Sequence, residues 1–425
     1  MRNHISLGVA SLALALGWTT EARAVTFPFH LQTPPLHGPT TSFFGYSVAI
    51  DAGTAIIGAI NDNGGKGAAY VYVASGGGWT LQQVLTSPAS AVGDEFGYSV
   101  AISGDTAVVG SAGTSDVSVF VRSGNSWMLR SPIHDPDAAP QPGDCFGCSI
   151  ALVGDVAIVG APGKANGAGQ ADLFVRQGNS WSVAQTFTGQ PGESYGFSVA
   201  LSPDTNTALA GAFNASNEAG AAHLLTKNGA TWTESQVLAS PNAAPHGRFG
   251  YSVALQNDVG LVGASGQGGG EGAAYVFAKS GSGWSSVGPA LIAPDHAPND
   301  AFGISVALTN SAAIIGAYER SGPQGPGAAY VFTKSGSTWS SSQTLLATDA
   351  GQYFGYAVAA SNDTTIVGAF GAPDTSALSD AGAAYLFLSP AGAPALGTSQ
   401  WFALALALGG FGVLVLSKRH GEKLI

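Results

Sequence analysis

Six carboxylates are the side chains of this chain best placed to do chemistry away from a packed core. Asp62, Asp94, Asp144, Glu193, Asp300 and Asp374 all fall in long irregular segments rich in Pro, Gly, Ala and Ser. Carboxylates so placed can hold cations or meet polar partners. The two cysteines, Cys145 and Cys148, share one CFGC stretch. A lone CxxC supplies too few ligands for zinc. Read as four residues of extended strand, it also puts the two thiols on opposite faces, so two small packed side chains are expected rather than a bridge. His30, His37, His134, His223, His246 and His296 are scattered, and neither H-E-x-x-H nor a nucleophile elbow in a strand-to-helix setting occurs. Catalysis is not expected.

The elements that must position these residues lie between two special ends. Residues 1–24 combine Arg2, an apolar run over 5–16 and the small-residue pattern Ala22-Arg23-Ala24, so they are expected to be a signal peptide. Near the other end, 401–416 is uncharged and almost wholly apolar, and Lys418 and Arg419 follow at once. As a helix it rises about 24 Å, enough for a thin span. A membrane anchor over 401–417 with a basic cytoplasmic tail over 418–425 is expected, joined by a linker over 390–400. With both ends set aside, 10 Lys and Arg face 24 Asp and Glu, a balance that disfavours nucleic-acid binding.

Between those ends the chain repeats itself. An aromatic residue followed by Gly recurs at Phe44-Gly45, Phe96-Gly97, Phe146-Gly147, Tyr195-Gly196, Phe249-Gly250, Phe302-Gly303 and Phe354-Gly355, 49 to 54 residues apart. A second Gly follows thirteen residues later in every copy except the fourth, where the gap is fifteen. Such a period marks a repeat architecture. With 61 Gly, only 10% charged residues and β-branched or aromatic residues alternating with Ser, Thr and Ala, the composition is all-β.

Each copy reads as four short strands. In the first copy these are FGYSVAI (44–50), TAIIGA (54–59), GAAYVYV (67–73) and WTLQQVL (79–85). Strict alternation in the first strand puts Phe44, Tyr46, Val48 and Ile50 on one face and Gly45, Ser47 and Ala49 on the other. Bulky faces that fill the hollows of small ones suit sheets stacked around an axis. Trp79, Trp127, Trp181, Trp232, Trp284 and Trp339 open the fourth strands, and a seventh Trp is missing because the last copy stops after its third strand. The segment 25–34 aligns with 79–88, Leu31 on Leu85 and Pro34 on Pro88, so the N-terminal strand is expected to complete the last blade. The reading is an all-β, seven-bladed β-propeller of four-stranded blades over 25–389, with one C-terminal transmembrane helix outside it.

The segments FGYSVA, GDTAVVG and GAAYVF resemble the FG-GAP repeat found in the head propeller of integrin α subunits and in bacterial surface proteins. That resemblance implies an adhesion or ligand-binding module. Calcium is a feature of some relatives, held by D-x-D-x-D-G loops between the first two strands. Here those turns are too short, and Asn61, Asp62 and Asn63 remain the candidate ligands. The literal G-A-P triplet occurs at Gly160-Ala161-Pro162. The C-terminal PALGTSQW, apolar run and Lys-Arg resemble the three-part sorting tails of the IPTL type, with Pro394 and Trp401 further apart than that pattern has them.

The two ends of an antiparallel four-stranded blade differ. Long segments such as 87–95, 134–144, 293–300 and 371–380 emerge at one end, and minimal turns emerge at the other. Variable loops on a rigid scaffold are where binding concentrates. The expectation is a monomeric, exported, membrane-tethered and non-enzymatic module that takes an extracellular protein or glycan on its long-loop face, where the six carboxylates lie. A structural spacer and a lectin-like sugar binder are the alternatives.

Overall fold

The computed structural model describes residues 29–389, apart from 115, 138, 282, 321–324, 348–352, 362–363 and 373–380. The expected signal peptide, linker, membrane helix and basic tail lie outside the described residues. Among the described residues, no helix is long and apolar enough to cross a membrane.

Seven antiparallel sheets form, one from each repeat. In blade 1 the strands Phe44–Asp51, Thr54–Ala59, Ala68–Ser75 and Gly78–Leu85 pair in sequence order. The first strands of successive blades pack side by side and surround the axis, while the fourth strands form the exposed rim. In blade 4 the turn between Ser198–Leu201 and Thr207–Ala212 absorbs the two extra residues that lengthen the glycine spacing there.

The aromatic of each Phe-Gly or Tyr-Gly pair is the wedge between blades. Phe44, Phe96, Phe146, Tyr195, Phe249, Phe302 and Phe354 are all at most 1% exposed. Six of them meet an aromatic of their own third strand edge to face; Phe96 lies 6.3 Å from Phe120 and Phe302 lies 6.0 Å from Phe332. Tyr195 instead meets His223 at 4.5 Å, so this histidine packs where other blades carry Tyr. Each such ring buries about 2–3 kcal/mol of apolar surface. Alternation in the first strand holds except at one point. Phe44, Val48 and Ile50 pack toward blade 7, but Tyr46 leaves their face, because the ladder shifts between Phe44 and Ser47.

The seams between blades are closed by backbone. At the second-strand Gly58, a methyl group would sit 2.0 Å from the carbonyl oxygen of Gly97 in the next blade, and the six equivalent glycines face the same obstacle at 1.9–2.1 Å. Beside this contact the hydroxyls of Ser47, Ser99, Ser149, Ser198, Ser252 and Ser305 donate to that same carbonyl at 2.6–2.9 Å. Blade 7 carries Ala357 in the register of these serines, opposite Gly368, and so brings no hydroxyl to Gly45.

The N-terminal segment closes the ring, in a register different from the expected one. His30–Leu31 and Leu36–His37 both pair with Ala383–Leu388, so Leu36, not Leu31, meets Ala384, the counterpart of the Ala69 that faces Leu85. Phe29 takes the place of the missing Trp. Its backbone N–H and carbonyl are clasped by the Gln343 amide at 2.7 and 2.8 Å, as the Gln83 amide clasps Trp127. Pro34 and Pro35 carry no N–H for the ladder, so the strand breaks there and spends two extra residues before rejoining.

Gly263→Ala is expected to cost about 3 kcal/mol in urea unfolding, because the methyl meets backbone that cannot yield. Gly281→Ala, in an open turn with φ +63°, is the control and is expected to cost about 1 kcal/mol. At the serines, Ser252→Ala should lose about 1–2 kcal/mol and Ala357→Ser should gain about 1 kcal/mol at the last seam. No gain from Ala357→Ser would show that the seventh carbonyl has no use for the hydroxyl.

Candidate ligand-binding face

Every first strand enters the ring through the same tight turn. The residue before the aromatic is left-handed in all seven blades, at Phe43, Glu95, Cys145, Ser194, Arg248, Ala301 and Tyr353, with φ between +53° and +61°. The glycine after the aromatic is also at positive φ. The next N–H then reaches back to the left-handed residue's carbonyl, as from Tyr46 to Phe43 at 3.2 Å and from Tyr356 to Tyr353 at 3.1 Å. This turn swings one side chain per blade onto the axis. Tyr46, Tyr98, Cys148, Phe197, Tyr251, Ile304 and Tyr356, with Cys145 and Pro162, line a cavity of about 250 Å³. Because first strands start at the long-loop end, the cavity lies at that mouth.

Its aromatic residues form two arcs. Tyr46 lies 5.2 Å from Tyr98 and 5.1 Å from Tyr356, and Phe370 meets Tyr356 at 4.7 Å and stacks on Tyr353 at 4.8 Å. Across the axis Phe197, Phe213 and Tyr251 are mutually 4.5–5.4 Å apart. Burial pushes the hydroxyls of Tyr46, Tyr251 and Tyr356 above the usual tyrosine range, and for Tyr46 the adjoining Tyr356 and Tyr98 act the same way. These hydroxyls therefore stay neutral and can both donate and accept hydrogen bonds. Between the arcs lies a disulfide.

Cys145 and Cys148 are bonded, against the expectation of two packed thiols, with their Cα atoms 5.4 Å apart. The stretch is no extended strand. Cys145 at φ +57° and Gly147 at φ +90° curl it into the entry turn, and the Cys148 N–H reaches the Cys145 carbonyl at 3.0 Å. The spacing hides this because alternation presumes regular φ.

The loop carboxylates turn out to build their own loops. Asp94, Asp144, Glu193 and Asp300 each stand two residues before the aromatic. Each accepts the N–H three residues upstream, from Ala91, Gln141, Gln190 and Ala297, at 2.6, 2.9, 2.7 and 2.8 Å. They cap the turn that delivers the strand, and Asp300 is only 1% exposed. The structure does not gather them into one site. Asp62 is likewise engaged, taking the Tyr70 hydroxyl at 2.6 Å and the Asn63 N–H at 2.7 Å. Asn61 donates to the Thr41 carbonyl. These three residues do not fit a calcium shell, and among the described residues no three His, Cys, Asp or Glu converge as a metal site. Asp374 lies outside the described residues.

The axial side chains escape notice in the sequence because they differ in type from blade to blade. Their shared position, one residue after each aromatic-Gly pair, is the signal that could have found them.

Seven four-stranded blades closed around a side-chain-lined axis define a β-propeller. The FG-GAP repeat model matches residues 37–72, 79–126, 127–174, 232–277, 286–332 and 339–387, and the chain belongs to that family. The unmatched stretch spans most of blade 4, where the two-residue insertion falls. No curated protein matches the chain by sequence. Among solved structures it is similar to a protein from Lactobacillus plantarum, with 13% identity, a TM-score of 0.51, and 71% of this chain and 84% of that one covered. Sqt1 from Saccharomyces cerevisiae is similar with 12% identity and a TM-score of 0.48, covering 81% and 83%. At such identity the likeness to the Lactobacillus protein concerns the fold alone.

The native protein is expected to show no thiol reactive to Ellman's reagent, even when denatured, and two after reduction. A Cys145→Ser, Cys148→Ser double variant should fold with a loss of about 2 kcal/mol or less, since the closed loop is so short. Titration of two free thiols in the unreduced chain would contradict the bond.

Proposed function

We propose that this propeller is a non-enzymatic recognition module, exported and tethered to a membrane, that binds a protein or glycan partner on its long-loop face. The observation that carries the reading is the aromatic-lined axial mouth. Clustered tyrosine and phenylalanine rings with neutral hydroxyls offer large, stiff contact area and hydrogen bonds at little entropic cost. Seven rigid blades hold them from behind. The turn-capping carboxylates support the reading indirectly, because they fix the loops around the mouth.

The tether fits the same picture. The third strand of blade 7, Ala383–Leu388, runs from the long-loop end toward the short-turn end. A linker over 390–400 leading to an anchor over 401–417 leaves from the short-turn side, and the mouth points away from the membrane. The signal-peptide pattern of 1–24 and the tail's likeness to a sorting signal support export.

Tyr46→Ala combined with Tyr356→Ala is expected to weaken binding of a ligand selected on glycan and peptide arrays at least tenfold, with the thermal unfolding transition retained. Arrays that give no binder for the wild-type ectodomain, or a binder indifferent to both substitutions, would sink this reading.

A further inference from the structure

Away from the axis, the junction of blades 2 and 3 breaks the repeat's own rules at three positions. Asp135 stands before Pro136, where other blades carry Ser87, Ser240 or Ala293 before proline. Lys164 opens the short helical turn that Asp62, Ala215 and Gln267 open elsewhere. Asp172 occupies the third-strand position of Tyr70, Tyr275, Tyr330 and Tyr385. All three are buried. The side chains of Lys164 and Asp135 are 2% and 1% exposed, and Asp172 is 0% exposed.

Their arrangement is reactive in kind. Lys164 Nζ lies 2.5 Å from Asp135 Oδ1 and 5.8 Å from the centre of the buried Phe146 ring. Asp135 Oδ2 is buried without a hydrogen-bond partner. The Asp172 carboxylate is held by Gln170 Nε2, 2.9 Å from both oxygens, and by Thr186 Oγ1 at 2.6 Å, and the charges of Lys164 and Asp135 both act on it. Two buried carboxyls and one ammonium leave one excess negative charge in a site of low dielectric, which favours a proton on one carboxyl. Burial pushes Asp172 above the usual carboxylate range. For Lys164, burial acts to lower the ammonium, but Asp135 and Asp137 hold it above its ordinary value.

We propose that Lys164 and Asp135 condense into an intramolecular amide crosslink, with Asp172 relaying the protons. The ammonium passes one proton to Asp135 across their short contact, and the resulting amine attacks the Asp135 carboxyl carbon. Asp172 protonates the departing oxygen and recovers a proton from the nitrogen. A C–N bond forms, a C–O bond breaks, one water leaves, and Asp172 ends as it began. No oxidant or cofactor is needed. The product is a neutral amide where an ion pair was buried, so the desolvation cost of two charges is removed. It joins the end of blade 2 to the turn between the second and third strands of blade 3. Asp137 Oδ2, 2.9 Å from Nζ and half-exposed, competes by holding the ammonium.

The test is peptide mapping of the full chain purified in its folded form and then digested with trypsin. Arg130, Lys164 and Arg176 are the successive tryptic sites, so the expected product is a single looped peptide over 131–176, uncleaved after Lys164 and lighter by one water than the same linear sequence, in place of the linear peptides 131–164 and 165–176. Lys164→Arg and Asp135→Ala should each abolish it. Asp172→Asn should slow its formation at least tenfold, whereas Asp137→Asn should leave it complete. Full recovery of the linear peptides from folded wild-type protein would overturn the crosslink. Unchanged crosslinking in Asp172→Asn would overturn the proton relay.

Discussion

The contact on which the molecule depends is the approach of one backbone to another across each seam. The second-strand glycine leaves room for the next blade's entry-turn carbonyl, and a methyl group there would overlap it at about the length of a covalent bond and a half. Small residues on one face and the Phe or Tyr wedge on the other then follow as requirements. A blade that stood further out would leave the wedge, at most 1% exposed, without a socket. Repeated seven times, the contact also fixes how the blades tilt about the axis.

The same entry turn does two jobs, and this explains where variation is tolerated. Its glycine carbonyl belongs to the seam, so its φ angles are held by both blades. The residue just after it points to the axis, where no neighbouring backbone constrains its size. Hence the aromatic-Gly pair is repeated while the next position runs Tyr, Tyr, Cys, Phe, Tyr, Ile, Tyr. A scaffold of this kind can alter its axial surface without disturbing its seams. The turn carboxylates belong with the seam, because they cap the loops that aim each strand.

What was legible in the sequence was whatever the period carries. Seven aromatic-Gly pairs, the second glycines and the Trp positions are enough to count blades, order strands and expect the N-terminus to close the ring. What was not legible depends on φ rather than on residue type. Cys145 and Cys148 are bonded because a left-handed residue curls their stretch, and nothing in CFGC announces that. Tyr46 leaves the face of Phe44 for the same reason. Asp94 and Asp300 look like free loop charges until the N–H three residues upstream is seen to point at them. The register of 29–37 was misjudged because matching Pro34 to Pro88 treats a break inside the strand as its end.

Closure sets the last seam apart from the other six. Blade 7 takes its fourth strand from the opposite end of the chain, in two short pieces, and brings Ala357 where its neighbours bring Ser. It also takes Phe29 in place of Trp, with the Gln343 clasp retained. The pairing of His30 with Leu388 spans nearly the whole propeller, so the entropy of closing that loop must be met before its contacts form. The six sequential seams need no such closure. The ring should therefore assemble as an arc of blades and shut last at the junction of blades 7 and 1. The junction where the first and last blades meet is thus also the one whose entry-turn carbonyl receives no serine hydroxyl from the preceding blade.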